Sequence, residues 1–142
     1  MAKNKEIQIN TLPGYEMVSD FYFVRDDGKI IGACGEMKPF WQRSRKYPYQ
    51  SVRFRTKDGG RITKRVCRIV ALAFVDGRTE ARNQVDHING RHSDDRPSNL
   101  RWVTKQENMD ALIVRRYKEG ITHKQKSMLD GQIAWREALM NL

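Results

Sequence analysis

His87 is preceded by Asp86 in the run Gln84-Val85-Asp86-His87-Ile88-Asn89-Gly90, and two asparagines follow at Asn99 and Asn108. An imidazole, with an unperturbed pKa of about 6.5, is the side chain best suited to exchange a proton with water near neutral pH. A carboxylate and an amide carbonyl are hard oxygen donors, the kind that Mg2+ prefers. Taken singly these residues have ordinary readings, Asp86 and Asn99 as turn residues and Asn108 as a solvent-facing helix residue. Together they describe a base that activates water beside a pair of oxygen ligands.

The chain between them has to bring these side chains together. Asp86-His87 ends a short apolar-flanked strand, Asn89-Gly90 turns the chain, and Leu100 to Val103 forms a second strand that contains Trp102. Thr104 then serves as an N-cap and Glu107, three residues on, completes a capping box. Asn108 thereby falls in the first full turn of a helix from about Lys105 to Tyr117. Neighbours on a regular strand point to opposite faces, so the strand must bend or end at His87 if Asp86 and His87 are to share a site. In the intervening loop Asp94 and Asp95, beside Ser93, Arg96 and Pro97, read as turn formers. His92 ranks below His87, which alone follows an Asp at the end of an apolar strand.

The stretch from Gln84 to Gly90, Ser98 to Thr104 and the pair Glu107-Asn108 resembles the motif of the HNH endonucleases, whose ββα-metal fold has this succession of elements. The resemblance implies that Asp86 is a metal ligand and His87 the general base. It makes Asn99 the central Asn that braces the loop and the His, and Asn108 the second metal ligand. Many members carry His at that last position; Asn there is similar to the phage and intron-encoded homing endonucleases, many of them nicking enzymes. The implied activity is Mg2+-dependent hydrolysis of DNA to 5′-phosphate and 3′-hydroxyl ends, with Mn2+ able to substitute. Chemistry supports these residue types independently, because the pentavalent transition state gathers negative charge that a hard divalent cation stabilises. Leu12-Pro13-Gly14-Tyr15, the Asp27-Gly28 turn and Arg68 to Phe74 also resemble the module that often precedes the motif. The resemblance thus covers most of residues 12 to 110, with Cys67 standing where many relatives carry His.

With 27 Lys+Arg against 17 Asp+Glu in 142 residues, the net charge is +10 and the pI about 9.9. A polyanion is the expected partner, and the motif selects double-stranded DNA over a membrane surface. No apolar run approaches the roughly 20 residues of a spanning helix and no signal peptide opens the chain, so a soluble, cytoplasmic protein is expected; no obligate protein partner is evident, and a monomer is expected. Cys34 and Cys67 have no Cys-x-x-Cys partner; neither a disulfide nor a structural zinc is expected, despite the finger-like spacing of His87 and His92. The same basic surface would suit a non-catalytic DNA-binding or regulatory protein on a decayed nuclease fold.

The remaining chain supplies candidate DNA contacts. Met1 to Asn10 is a short polar lead, and Val18 to Val24 with Lys29-Ile30-Ile31 makes a hairpin across Asp26-Asp27-Gly28. The irregular segment from Gly32 to Pro48 mixes Arg43, Arg45 and Lys46 with aromatic residues. It is either a solvated loop or one that tracks phosphates. Tyr49 to Thr56 and Arg61 to Val66 form a second hairpin, with Val52 and Phe54 on one face and Arg53, Arg55, Arg61 and Arg65 on the other. Like charges so crowded repel unless an anion neutralises them. Cys67 to Phe74 is a short core helix, and an amphipathic helical tail either docks on the core or carries Lys124, Lys126 and Arg136 to DNA. The expected fold is α+β: an antiparallel sheet module over residues 1–76, a ββα-metal unit over 77–119 and a helical tail over 120–142.

Overall fold

Short strands broken by tight turns divide the protein into three small antiparallel sheets, with two helices among the described residues of the computed structural model, 3–42 and 49–118. Arg43, Arg45 and Lys46 and the tail over 120–142 lie outside the described residues. The first sheet has the order β1 (Glu6–Gln8), β2 (Phe23–Arg25), β3 (Ile30–Gly32) and β4 (Gly35–Glu36). The second joins β5 (Phe40–Gln42), β6 (Tyr49–Arg55) and β7 (Arg61–Arg65), and the third pairs β8 (Gln84–His87) with β9 (Leu100–Val103). Helix α1 (Val66–Phe74) follows β7 without a loop, and α2 (Lys105–Lys118) follows β9. The architecture is α+β, as expected.

The polar lead is more ordered than its composition suggests. Ile7 packs on the core and Ile9 is fully buried, so Glu6–Gln8 takes the open edge of β2 in the register Ile7 opposite Val24. The strand expected from Val18 to Val24 begins only at Phe23. Before it, Val18 makes an isolated bridge to Thr56, and Tyr22 packs edge-to-face on Phe54 at 4.8 Å while its hydroxyl accepts from the Arg55 N–H at 3.0 Å. Aromatic content here reports tertiary packing rather than strand pairing. The Asp26-Asp27-Gly28 turn forms as read, with the Arg25 N–H donating to the Lys29 carbonyl at 2.8 Å.

Register decides the character of the second sheet. Arg53 pairs with Thr63, Arg55 with Arg61 and Ser51 with Arg65, so all four arginines share one face and are exposed. Val52 and Phe54 are buried on the other, above α1. Ile69, Val70 and Ala71 of α1 join these residues, Ile9, Val18 and Val24 in one core that also takes in Leu100 and Trp102 of β9. The Trp102 indole N–H donates to the Val75 carbonyl at 3.0 Å, which ties the third sheet to the end of α1. No helix of the described residues is long and apolar enough to cross a membrane.

Candidate active site

The β8–β9 ribbon presents Asp86 opposite Arg101 and His87 opposite Leu100, its last pair. The strand ends at His87, as a shared site requires: the Ile88 N–H donates to the Asn99 carbonyl at 2.8 Å and the Gly90 N–H to the His87 carbonyl at 2.9 Å. Asp86, His87 and Asn108 then border one cleft of about 200 Å3, with Tyr49, His92 and Arg115 on its walls. The capping box that sets the start of α2 is formed, the Glu107 N–H donating to Thr104 Oγ1 at 3.0 Å and the Thr104 N–H to Glu107 Oε1 at 3.3 Å.

Each candidate ligand is held by a neighbour. Asn108 donates through Nδ2 to Gln84 Oε1 at 2.9 Å, which leaves its carbonyl oxygen as the ligand atom. Asp86 is buried and takes Arg101 Nε at 2.9 Å on Oδ2 and Arg115 Nη1 at 3.2 Å on Oδ1, while Arg115 Nη2 donates to the His87 carbonyl at 2.7 Å. Pairing of this kind is what allows a carboxylate to be buried. A carboxylate and an amide oxygen lining one cleft fit a hard divalent cation, which would share the carboxylate with the two guanidinium groups.

Asn99 does the bracing assigned to it, but on the loop. Its Oδ1 accepts the Asn89 N–H at 3.0 Å, and its Nδ2 donates to Asn89 Oδ1 at 3.0 Å and to the Asp94 carbonyl at 2.9 Å. The imidazole is held instead by Asp95, whose Oδ1 lies 2.7 Å from His87 Nε2 with both side chains buried. The reading of Asp94 and Asp95 as two turn formers is therefore right for one of them only. Asp94 forms a fork with Arg96 at 2.8 Å on each oxygen, which pulls its carboxyl down to about 2. Asp95 turns inward. Register carried the signal for it: Leu100 must face His87, so the residues just before Leu100 return alongside the ring.

Two further features support this contact. Gly28, at φ +87°, closes the β2–β3 turn against the loop, and a Cβ there would stand 2.6 Å from the Asp95 carbonyl oxygen. Cys67 lies beneath, its sulfur, a His87 nitrogen and an Asp95 oxygen all within 4.8 Å of one another. Burial, reinforced by the nearby Asp95, pushes the Cys67 thiol up to about 12. On the open side, His92 stacks on Tyr49 at 4.8 Å and lies 5.0 Å from the His87 ring, and Arg65 covers Tyr49 at 4.1 Å. Stacked rings thus join the arginine face to the cleft.

Residues 66–110 match the family model described as HNH endonuclease. Over this stretch the chain is similar to the HNH endonucleases. The match starts at Val66, so α1 with Cys67 belongs to the HNH stretch. An uncharacterized HNH endonuclease of Acanthamoeba polyphaga mimivirus is 37% identical over 112 residues, or 77% of this chain; the chain spans only 25% of that relative's length. A solved structure described as DNA binding and cleavage by the HNH homing endonuclease I-HmuI superposes with a TM-score of 0.64 at 24% identity, covering 89% of this chain and 66% of that one. At this identity the likeness is one of fold.

Proposed function

We propose that this protein is a divalent-metal-dependent endonuclease of double-stranded DNA, in which His87 takes the proton from the attacking water. The observation that carries the reading is the convergence of Asp86, His87 and Asn108 on one cleft, with the imidazole fixed from behind. A carboxylate accepts but does not donate, so Asp95 keeps the ring proton on Nε2 and leaves Nδ1 as the basic nitrogen. Asp86 and Asn108 would hold the ion, Mg2+ by their oxygen chemistry, with Mn2+ able to replace it. Bound there, such an ion supplies Lewis-acid stabilisation of the charge gathering on the phosphate and the leaving 3′ oxygen. Asn99 keeps the loop closed, and water delivered to the phosphorus leaves 5′-phosphate and 3′-hydroxyl ends.

Cleavage of a supercoiled plasmid tests this directly. A chelator is expected to abolish strand cleavage and added Mg2+ or Mn2+ to restore it, with DNA binding surviving throughout. Binding without cleavage under either ion would identify a DNA-binding protein on an inactive nuclease fold.

The substrate lies along the arginine face of β6 and β7. Exposed Phe40 sits beneath Arg53 at 5.9 Å, and Arg65 caps the ring stack that leads to His87. If Arg53 and Arg65 each neutralise one phosphate, each change to Ala lowers the slope of log affinity against log salt by about 0.9. An arginine that reads a base relaxes sequence preference instead. An Arg53→Ala, Arg65→Ala double variant with unaltered affinity, slope and specificity would reduce this face to a solvated one.

A further inference from the structure

We propose that Cys67, His87 and Asp95 form a second cation site, selective for thiophilic divalent ions such as Zn2+, and that filling it switches off the base. Three side chains of the types that bind zinc are buried together, with one candidate ligand atom from each within 4.8 Å of the others. A second observation points to a missing ligand: Asp95 Oδ2 is buried and has no hydrogen-bond partner among the described residues. Buried polar atoms are normally satisfied, so this oxygen of a cluster residue has bonding capacity that the described residues do not use. Tetrahedral zinc places its ligand atoms about 3.3–3.6 Å apart, so a site through Nε2 and Oδ1 needs their 2.7 Å contact to widen slightly and the sulfur, within 4.8 Å, to close in.

Charge and hardness make it selective. The Cys67 thiol gives its proton to solvent, and a divalent cation with one thiolate and one carboxylate is neutral, which suits burial. Mg2+ keeps several waters and avoids sulfur, so it is directed to Asp86 and Asn108 instead. Cys67 also lines a surface cleft beside Gln84 and Val85, which provides a way in.

The consequence for catalysis follows from the imidazole's two nitrogens. Asp95 lies on Nε2, and an ion bound at that nitrogen displaces its proton and leaves the neutral ring with a proton on Nδ1. Nδ1 then donates and no longer accepts. This effect on cleavage rests on the reading of His87 as the base, whereas binding does not.

Co2+ titrated into the full chain is expected to give a thiolate-to-cobalt absorption band that Zn2+ removes and excess Mg2+ does not. Cys67→Ala should abolish the band, with Cys67→Ser as a second variant. At saturating Mg2+, Zn2+ should inhibit wild-type cleavage, and either variant should need at least ~10-fold more Zn2+, since even ligand-supporting partners contribute that much. Absence of a Cys67-dependent band overturns the site whether or not the protein cuts DNA. Equal Zn2+ inhibition of wild type and variants would place the inhibiting ion at Asp86 and Asn108 and overturn the switch.

Discussion

His87→Ala is expected to slow single-turnover DNA cleavage at least ~10²-fold, the usual contribution of a positioned general base and about 2.7 kcal/mol of transition-state stabilisation. Affinity for DNA should hardly change, because His87 is 2% exposed and offers DNA almost no surface. The loss should therefore appear in the rate and not in binding. Alanine also leaves Asp95 as a buried carboxylate with its partner removed, which destabilises the fold. His87→Gln is the companion variant, since its amide can still donate to Asp95 but cannot take a proton from water. Both should bind DNA and Mg2+, and a near-wild-type rate in either, with folding checked by thermal denaturation, would remove His87 from its role.

What the sequence made legible was local. The Thr104–Glu107 box fixed where α2 begins and hence where Asn108 stands, since it depends on four consecutive residues. The alternation around Arg53 and Arg55 was sufficient to place four arginines on one face, because strand period and turn length together set the register. Contacts between distant segments were not legible. Arg115 reaches Asp86 across 29 residues, and nothing in its neighbourhood on α2 marks it as different from Arg116. Gly28 supports the Asp95 backbone from a turn that precedes it by most of the domain. Cys67 read only as the start of a short core helix; that it is buried beside an imidazole and a carboxylate depends on how α1 packs under β8. The early strand was missed for a related reason, since Glu6–Gln8 is too short to announce itself without the β2 edge that it covers.

Asp95 is the residue whose loss should separate holding the imidazole from merely having one. With a carboxylate at 2.7 Å from Nε2, the ring is confined to the tautomer that leaves Nδ1 as an acceptor. Asp95→Asn preserves size and shape but offers an amide that can donate to Nε2, and a ring held that way carries its proton on Nδ1. A comparable Asp→Asn change behind a catalytic histidine in serine proteases costs about 10⁴-fold through the wrong tautomer. The amide carbonyl can still rotate to accept from Nε2, so the expected loss here is between about 10² and 10⁴-fold. Three readouts make the test specific. DNA affinity should be unchanged, because Asp95 is buried. The His87→Gln, Asp95→Asn double variant should be little slower than His87→Gln alone, since Asp95 acts through the ring and groups that act as a unit are not additive. Asp95→Glu, if its longer side chain still reaches Nε2, should recover much of the rate that Asn loses. Full activity in Asp95→Asn would leave the carboxylate with a structural part only, and an additive double variant would mean that it acts on the reaction by a route other than His87.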